Sequence, residues 1–344
     1  NQYVSQRGYS GGTVLRESPS GTSFSDYRNY SYLTAPDQRV QLNNLHWVTH
    51  SFMAGVFVQD SWSIFDKVTL NAGVRYDWQV LFGGDGQVAV TMPNQLSPRV
   101  GLVWDPTQKG RSKIYGNYAR YYQAIPLNIA DRAGSSEPQT TARRNANCNP
   151  LNAGSLTGAC QDPANFTNIG SATSPDRKYS VVGAGKTPID PDLQPQYSDE
   201  LVFGAEYDLL KFGRLGTSYT HREVGRVIED VSRDEAQTYF ITNPGQGATA
   251  DFPKPERVYN AFTVFYQKTF GGGWEGQASY TLSFLRGNYA GLYRPETGQL
   301  DPGSNSDFDL KSLTVNRSGW LPGDNRHAFK AFGSKTFEVS ENND

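Results

Sequence analysis

The segment KVTLNAGVRYDW (residues 67–78) alternates side-chain character almost without exception. One row reads Val68, Leu70, Ala72, Val74, Tyr76, Trp78, and the interleaved row reads Lys67, Thr69, Asn71, Gly73, Arg75, Asp77. Successive side chains on a β-strand point to opposite faces, so this is a strand with one apolar and one wet face. WEGQASYTLSF (residues 274–284) repeats the pattern, with Trp274, Gly276, Ala278, Tyr280, Leu282 and Phe284 on one face. Shorter versions fall at residues 99–105, 200–208 and 214–222. Weaker ones fall at 53–65, 113–122, 258–270 and 328–337. No comparable stretch carries a helical period, so the chain reads as all-β.

Working outward, the connections alternate in length. Short turns are expected at 65–67, 105–112, 209–213 and 271–273, and long polar connections at 79–96, 123–196, 223–257 and 285–326. Compact soluble domains rarely carry structureless loops beyond about 12–15 residues. Outer-membrane barrels pair short periplasmic turns with long extracellular loops as a rule. The eleven residues from Val68 to Trp78, at roughly 3.3 Å each and a tilt near 45°, cover about 25 Å of bilayer normal. Trp62, Trp104, Tyr207 and Trp274 lie within a few residues of short turns, and Trp78 lies toward a long loop, as interfacial aromatic girdles require. The fold expected is an antiparallel transmembrane β-barrel. Its apolar rows would face lipid, while polar residues such as Lys67, Asn71 and Arg75 would face the lumen.

Composition agrees with a barrel and excludes other classes. Lys+Arg is 32 against Asp+Glu 34, giving no electrostatic footprint for nucleic acid. Hydrophobic residues are 37%, below the usual ~45–50%, with a mean hydropathy of −0.60, yet there are 20 Tyr, 18 Phe and 6 Trp. No run of apolar residues is long enough for a transmembrane helix. Cys148 and Cys160 sit in NCNPLNAGSLTGACQDP, without a CxxC pair or a nearby His. A disulfide pinning a loop is the preferred reading, and two unrelated thiols the alternative.

Several chemical motifs are incomplete. Gly183–Thr187 (GAGKT) has the flavour of a phosphate loop, but Ser180 stands where Gly is required and Pro188 and Pro191 follow in place of a helix. His46 and His50 have the spacing of a zinc helix without its glutamate. Asp301, Asn305, Asp307 and Asp309 lack calcium-loop register and read as a solvated acidic loop. No elbow or triad supports catalysis, so no catalytic residue, metal site or cofactor is expected. Asn29, Asn165 and Asn316 head Asn-x-Ser/Thr triplets that are incidental in an outer membrane.

The strand segments also carry a family resemblance. FVQDSWSIFDKVTLNAGVRYDWQ (57–79) resembles the barrel hairpin of TonB-dependent outer-membrane receptors, with Gln-Asp-x-Trp leading to Leu-x-x-Gly-x-Arg-Tyr. LSPRVGLVWDP with SKIYGNYARYYQAIPL, LQPQYSDELVFGAEYDLL and DNRHAFKAFGSKTF are similar to further strands of the same family, in family order. The style is closest to the Oar-like branch, whose members carry a carboxypeptidase-regulatory-like domain. The resemblance implies the outer membrane of a Gram-negative bacterium and TonB-energised uptake of an unidentified extracellular ligand. Members have a barrel of about 22 strands, a plug and a TonB box. Neither plug nor TonB box is visible here, so residues 1–344 are expected to be a stretch of barrel from a larger receptor, with 123–196 as a long extracellular loop and a self-contained barrel of about ten strands as the alternative. TonB would act through a plug outside this chain, and the other partner is outer-membrane lipid. Lys67, Arg75, Arg99, Glu206 and Glu275 are the candidate lumen or plug contacts, with ordinary lumenal solvation as the alternative. Protein export or surface assembly through the same barrel, or passive conduction as a porin, are the alternative functions.

Overall fold

The computed structural model describes residues 2–8, 14–17, 24–29, 32–35, 38–40, 44–84, 86–133, 139–144, 166–167, 180–182, 187–233, 239–294, 299–300, 303 and 306–337. Eleven strands form one sheet: β1 (Gln2–Gly8), β2 (Asn44–Ile64), β3 (Val68–Phe82), β4 (Val88–Trp104), β5 (Ser112–Tyr122), β6 (Tyr197–Asp208), β7 (Arg214–Arg226), β8 (Arg257–Gly271), β9 (Trp274–Gly287), β10 (Gly319–Trp320) and β11 (His327–Lys335). From β1 to β9 each strand pairs with the next in the chain, and β10 and β11 both pair with β9. Pairing between strands that follow one another in the sheet lets alternation read along the sequence locate most of them, even where a long connection such as 123–196 intervenes.

Register keeps the two faces separate across many strands. Tyr118, Leu201 and His221 stand opposite one another, as do Gly116, Phe203, Tyr219, Phe262, Leu282 and His327. Val264, Tyr280 and Phe329 continue that apolar face. The reverse face aligns Glu200 with Arg222, Ser218 with Thr263 and Thr281, and Glu275 with Ser334. A one-residue slip would exchange the faces completely, so the pattern itself fixes the register. Phe203, Phe262, Tyr280 and Phe329 all remain exposed, in keeping with a surface that meets something other than protein. On the polar face the end of the Tyr115 ring reaches over Gly204, where a Cβ would come within 2.3 Å of it, so a larger residue here would have to displace that ring.

Two compact units divide the chain: Asn1–Phe52, Val80–Thr91 and Pro126–Pro188; and Met53–Gln79, Met92–Ile125 and Ile189–Asp344. The first holds β1 on the Asn44–His50 end of β2. It also holds a five-stranded sheet of Val14–Glu17, Phe24–Asn29, Gln139–Arg144, Phe166–Thr167 and Ser180–Val182, and a short helix α1 (Leu127–Ala133). The second holds most of the large sheet and the connections that follow β7 and β9.

Two expectations about connections change. Residues 79–96 are not a long loop: β3 continues to Phe82 and β4 starts at Val88, with Gly83 closing the turn through its N–H to Gln87 O at 2.9 Å. The apolar triplet Val80, Leu81, Phe82 already favours extended backbone, but the Gly-rich tip obscured it. Residues 123–196 likewise contain α1 and three short strands where no strand pattern was legible.

Candidate functional site

The polar face between β2 and β5 encloses a trough of about 840 Å³ lined in part by Gln59, Asn71, Arg75, Arg99, Asn117 and Tyr121. Alternation on the strands places each of these side chains. Arg75 donates from Nε to both oxygens of Asp77, at 2.9 and 2.8 Å, along the same row of β3. The Arg99 guanidinium lies 5.2 Å from the centre of the Tyr121 ring. Of the five charged residues singled out in the sequence, only Arg75 and Arg99 share this trough. Glu206 stands on β6 between Lys113 and Arg214, each at 3.4 Å, and Glu275 accepts from Ser334 Oγ at 3.0 Å on β9. Lys67 belongs to the turn before β3, where its carbonyl accepts from Asp105 N. Trp62, Trp78, Trp104, Tyr207 and Trp274 are exposed by 46, 42, 42, 44 and 39%.

Two further ion pairs across strands are not legible in the sequence. Arg222 pairs with Glu200 on the polar face. Arg120 forks onto Asp199, with two bonds of 2.8 Å, on the apolar face. Tyr118 donates to the same carboxylate at 3.1 Å, and the Arg120 guanidinium sits 4.0 Å from the Tyr197 ring centre. Such a bidentate, ring-covered pair can stay beside an apolar medium because its charges and donors are satisfied locally. Sequence spacing shows neither pair, since the partners lie 79 and 22 residues apart.

The ends of β7, β8 and β9 that lead to the long connections carry a second assembly. Val227, Val231, Phe252, Tyr289 and Phe308 form a buried cluster, flanked by Val224 and Phe240. A two-stranded ribbon, Glu229–Val231 with Phe240–Thr242, runs through it. Asn243 ties three segments together, donating to Gln194 O and Val227 O at 3.0 and 2.8 Å and accepting from Gln194 N at 2.7 Å. Arg317 donates to Asp307 Oδ1 at 2.7 Å, while Asp307 Oδ2 accepts from Ala290 N at 2.8 Å. Asp251 accepts from Arg233 at 2.7 Å and Lys311 at 2.5 Å. These cations, Arg233 first, hold its carboxyl well below the ordinary range. Burial, reinforced by the nearby Glu229 charge, pushes the Tyr289 hydroxyl well above its usual value. Asp307, expected in a solvated acidic loop, is instead buried and paired, and the long polar connections pack around a core of their own.

Among the described residues no group of three or more His, Cys, Asp or Glu could hold a metal ion. His46 and His50 lie on β2, not on a helix. Thr187 leads to a single bridge at Ile189, not to a helix N-terminus, and residues 183–186 lie outside the described residues. Asp301, Asn305, Cys148 and Cys160 also lie outside them.

The family described as TonB dependent receptor-like, beta-barrel matches residues 2–340. The chain is 45% identical over 350 residues to the TonB-dependent transporter Oar of Myxococcus xanthus. That match takes in 97% of this chain but only 33% of the relative, so the chain spans about a third of its length. Solved structures with a similar course include the ferripyoverdine receptor of the outer membrane of Pseudomonas aeruginosa bound to ferripyoverdine. It has 11% identity, a TM-score of 0.47, and coverage of 92% of this chain and 33% of that one. The siderophore receptor PiuA from Acinetobacter baumannii has 14% identity and a TM-score of 0.45, covering 91% of this chain and 39% of the other.

Proposed function

We infer that the chain, which belongs to the TonB-dependent receptor-like β-barrel family of the Gram-negative outer membrane, forms part of the wall and ligand-facing loops of an energised importer. The observation that carries this reading is the separation of faces held in register from β5 to β9 and β11. The apolar face meets lipid, with the aromatic residues near its borders as girdles. The polar face, with Arg75, Arg99, Glu206, Glu275 and Lys67, lines the lumen and contacts a plug supplied by the rest of the receptor. TonB acts on that plug. The short turns face the periplasm, and residues 123–196 with the packed connections after β7 and β9 face outside, where the ligand binds. Covalent catalysis has no part in this reading.

Orientation is the testable core. Cysteines introduced at Lys109 and Lys211, in short turns, should stay unlabelled by a membrane-impermeant maleimide on intact cells. A cysteine at Val315, which is 71% exposed in the connection after β9, should label strongly. Equal labelling at both ends would refute the topology. Uptake that survives collapse of the proton-motive force would point to a passive pore instead.

A further inference from the structure

We propose that Arg286 and Trp320, with Arg326 behind them, form a landing site for the phosphate of an outer-leaflet glycolipid headgroup. The proposal rests on the orientation given above. β9 climbs from Trp274, beside a short turn, to Arg286; at roughly 3.3 Å per residue and a 45° tilt this lifts Arg286 about 28 Å. That height lies just past an apolar band about 25 Å tall, at the level of headgroups. In register Arg286 stands opposite Val258 on one side and Trp320 on the other, with Phe284 two residues below on the same apolar face.

The Trp320 ring is shared by two guanidinium groups, with Arg286 4.8 Å and Arg326 4.2 Å from its centre. Arg326 also lies 4.6 Å from the Phe284 ring, and the Phe284 and Trp320 rings are 6.2 Å apart. Asp324 neutralises Arg326 at 2.7 Å. No carboxylate pairs with Arg286 among the described residues. Glu223 shares the face but is two strands away, on the order of 10 Å and beyond a Debye length of about 8 Å. An exposed, stacked guanidinium with an open donor fork binds phosphate oxygens in pairs. Trp320, 54% exposed, presents the amphipathic ring that headgroup regions favour. Below it the row of Phe284, Leu282 and Tyr280 offers acyl chains an apolar path, which a free anion would not use.

The test uses the complete receptor in detergent, offered bisphosphorylated lipid A or its dephosphorylated form, with retention read by native mass spectrometry. Wild type should retain the phosphorylated lipid, and Arg286→Gln about tenfold less. Dephosphorylated lipid A should bind weakly and equally to both. Arg222→Gln, which removes a charge from the polar face, should leave retention unchanged. If Arg286→Gln fails to fold, Arg286→Lys decides: retention should fall several-fold, because an ammonium keeps the charge but loses the fork and the stack. Equal retention by wild type and the Arg286 variant tested overturns the site, as does equal retention of the two lipids or a matching loss in Arg222→Gln. Displacement of lipid A by millimolar inorganic phosphate would mark a free-anion site and also overturn it. Detergent binding does not depend on orientation in the cell, so the Val315 labelling result fails or stands separately.

Discussion

The turn between β4 and β5 and the connection between β7 and β8 leave the same sheet from opposite edges and are held by different forces. In the first, Asp105 gathers the reversal around one carboxylate. It accepts from Thr107 Oγ1 at 2.7 Å, Thr107 N at 3.1 Å, Ser112 Oγ at 2.8 Å and Gly110 N at 2.7 Å. Gln108 and Gly110 take left-handed backbone to complete it. Every partner of that carboxylate lies within seven residues, so this part of the turn closes on itself, while its backbone also bonds the neighbouring turns through Asp105 N to Lys67 O and Asp208 N to Arg111 O. The second connection has local bonds too, with Thr249 Oγ1 donating to Asn243 O and Gln246 O at 3.1 Å each, but these close only its 243–252 stretch. It is ordered by Phe252 and Val231 packing on Tyr289 and Phe308, which arrive from the connection after β9. A self-closing turn folds with its hairpin; a packed pair of connections folds only once both are present.

The sharpest way to break this contrast is Phe308→Ala. Removing a fully buried aromatic ring costs about 3–5 kcal/mol. That loss should open the connections after β7 and β9 together while the strands stay folded. Hydrogen exchange should show fast exchange at 228–253 and 288–318 with unchanged protection in β8 and β9. Loss of strand protection as well would mean that the two regions form one cooperative unit. Next in size is a test of what lies between the two edges. Leu282→Arg puts a charge on the apolar face and should cost roughly 2–4 kcal/mol near the bilayer midplane. Thr281→Arg, one residue along on the polar face, should be mild. Equal losses on refolding into bilayers would mean that neither face is bounded by lipid.

These regions also differ in what a reader of the sequence could see. Strands β3 and β5–β9 are visible because period two is a local signal and because each strand pairs with its chain neighbour. The short turns are visible through DPTQKG, with its Asx acceptor and glycine. The packed connections are not, because Val227, Val231 and Phe252 fall in short, non-alternating stretches of polar sequence. Their partners Tyr289 and Phe308 lie in a different connection. The same holds for the candidate site. Arg75 and Arg99 can be placed on the polar face by parity, but Arg120–Asp199 and the Arg286–Trp320 stack depend on cross-strand register, which no single strand reports. The β3–β4 hairpin was missed for another reason: its glycine-rich tip looks like a loop, and the apolar residues before it lack alternation.

A smaller effect should follow from Asn243→Ala. Its side chain is 5% exposed and makes three bonds to the backbone at Gln194 and Val227. Leaving those groups unpaired costs about 1–3 kcal/mol. The expected readout is looser protection at 190–196 and 227–231, with the Asp105 turn untouched.

The smallest effect comes from comparing the two carboxylates as pH falls. Asp105 is held well below the usual range, first by the Thr107 hydroxyl and then by Ser112 Oγ and the Gly110 and Thr107 amides. Asp251 is held low first by Arg233 and then by Lys311. Both contribute stability that is present above the unfolded carboxylate value near 4 and is lost as pH drops below it through the folded value. The turn relies on neutral donors within its own backbone, whereas Asp251 joins two exposed cations, a type of contact that salt screens. Below pH ~4, exchange in 105–112, corrected for its intrinsic rate, should therefore rise equally at low and high ionic strength. Exchange in 248–253 should rise less in high salt, because there the pair contributes little to begin with. Asp105→Asn and Asp251→Asn should each flatten the acid response of its own segment and leave the other unchanged. A shared response to either substitution would show that the two edges of the sheet are coupled through the wall, which their separate hydrogen-bond networks argue against.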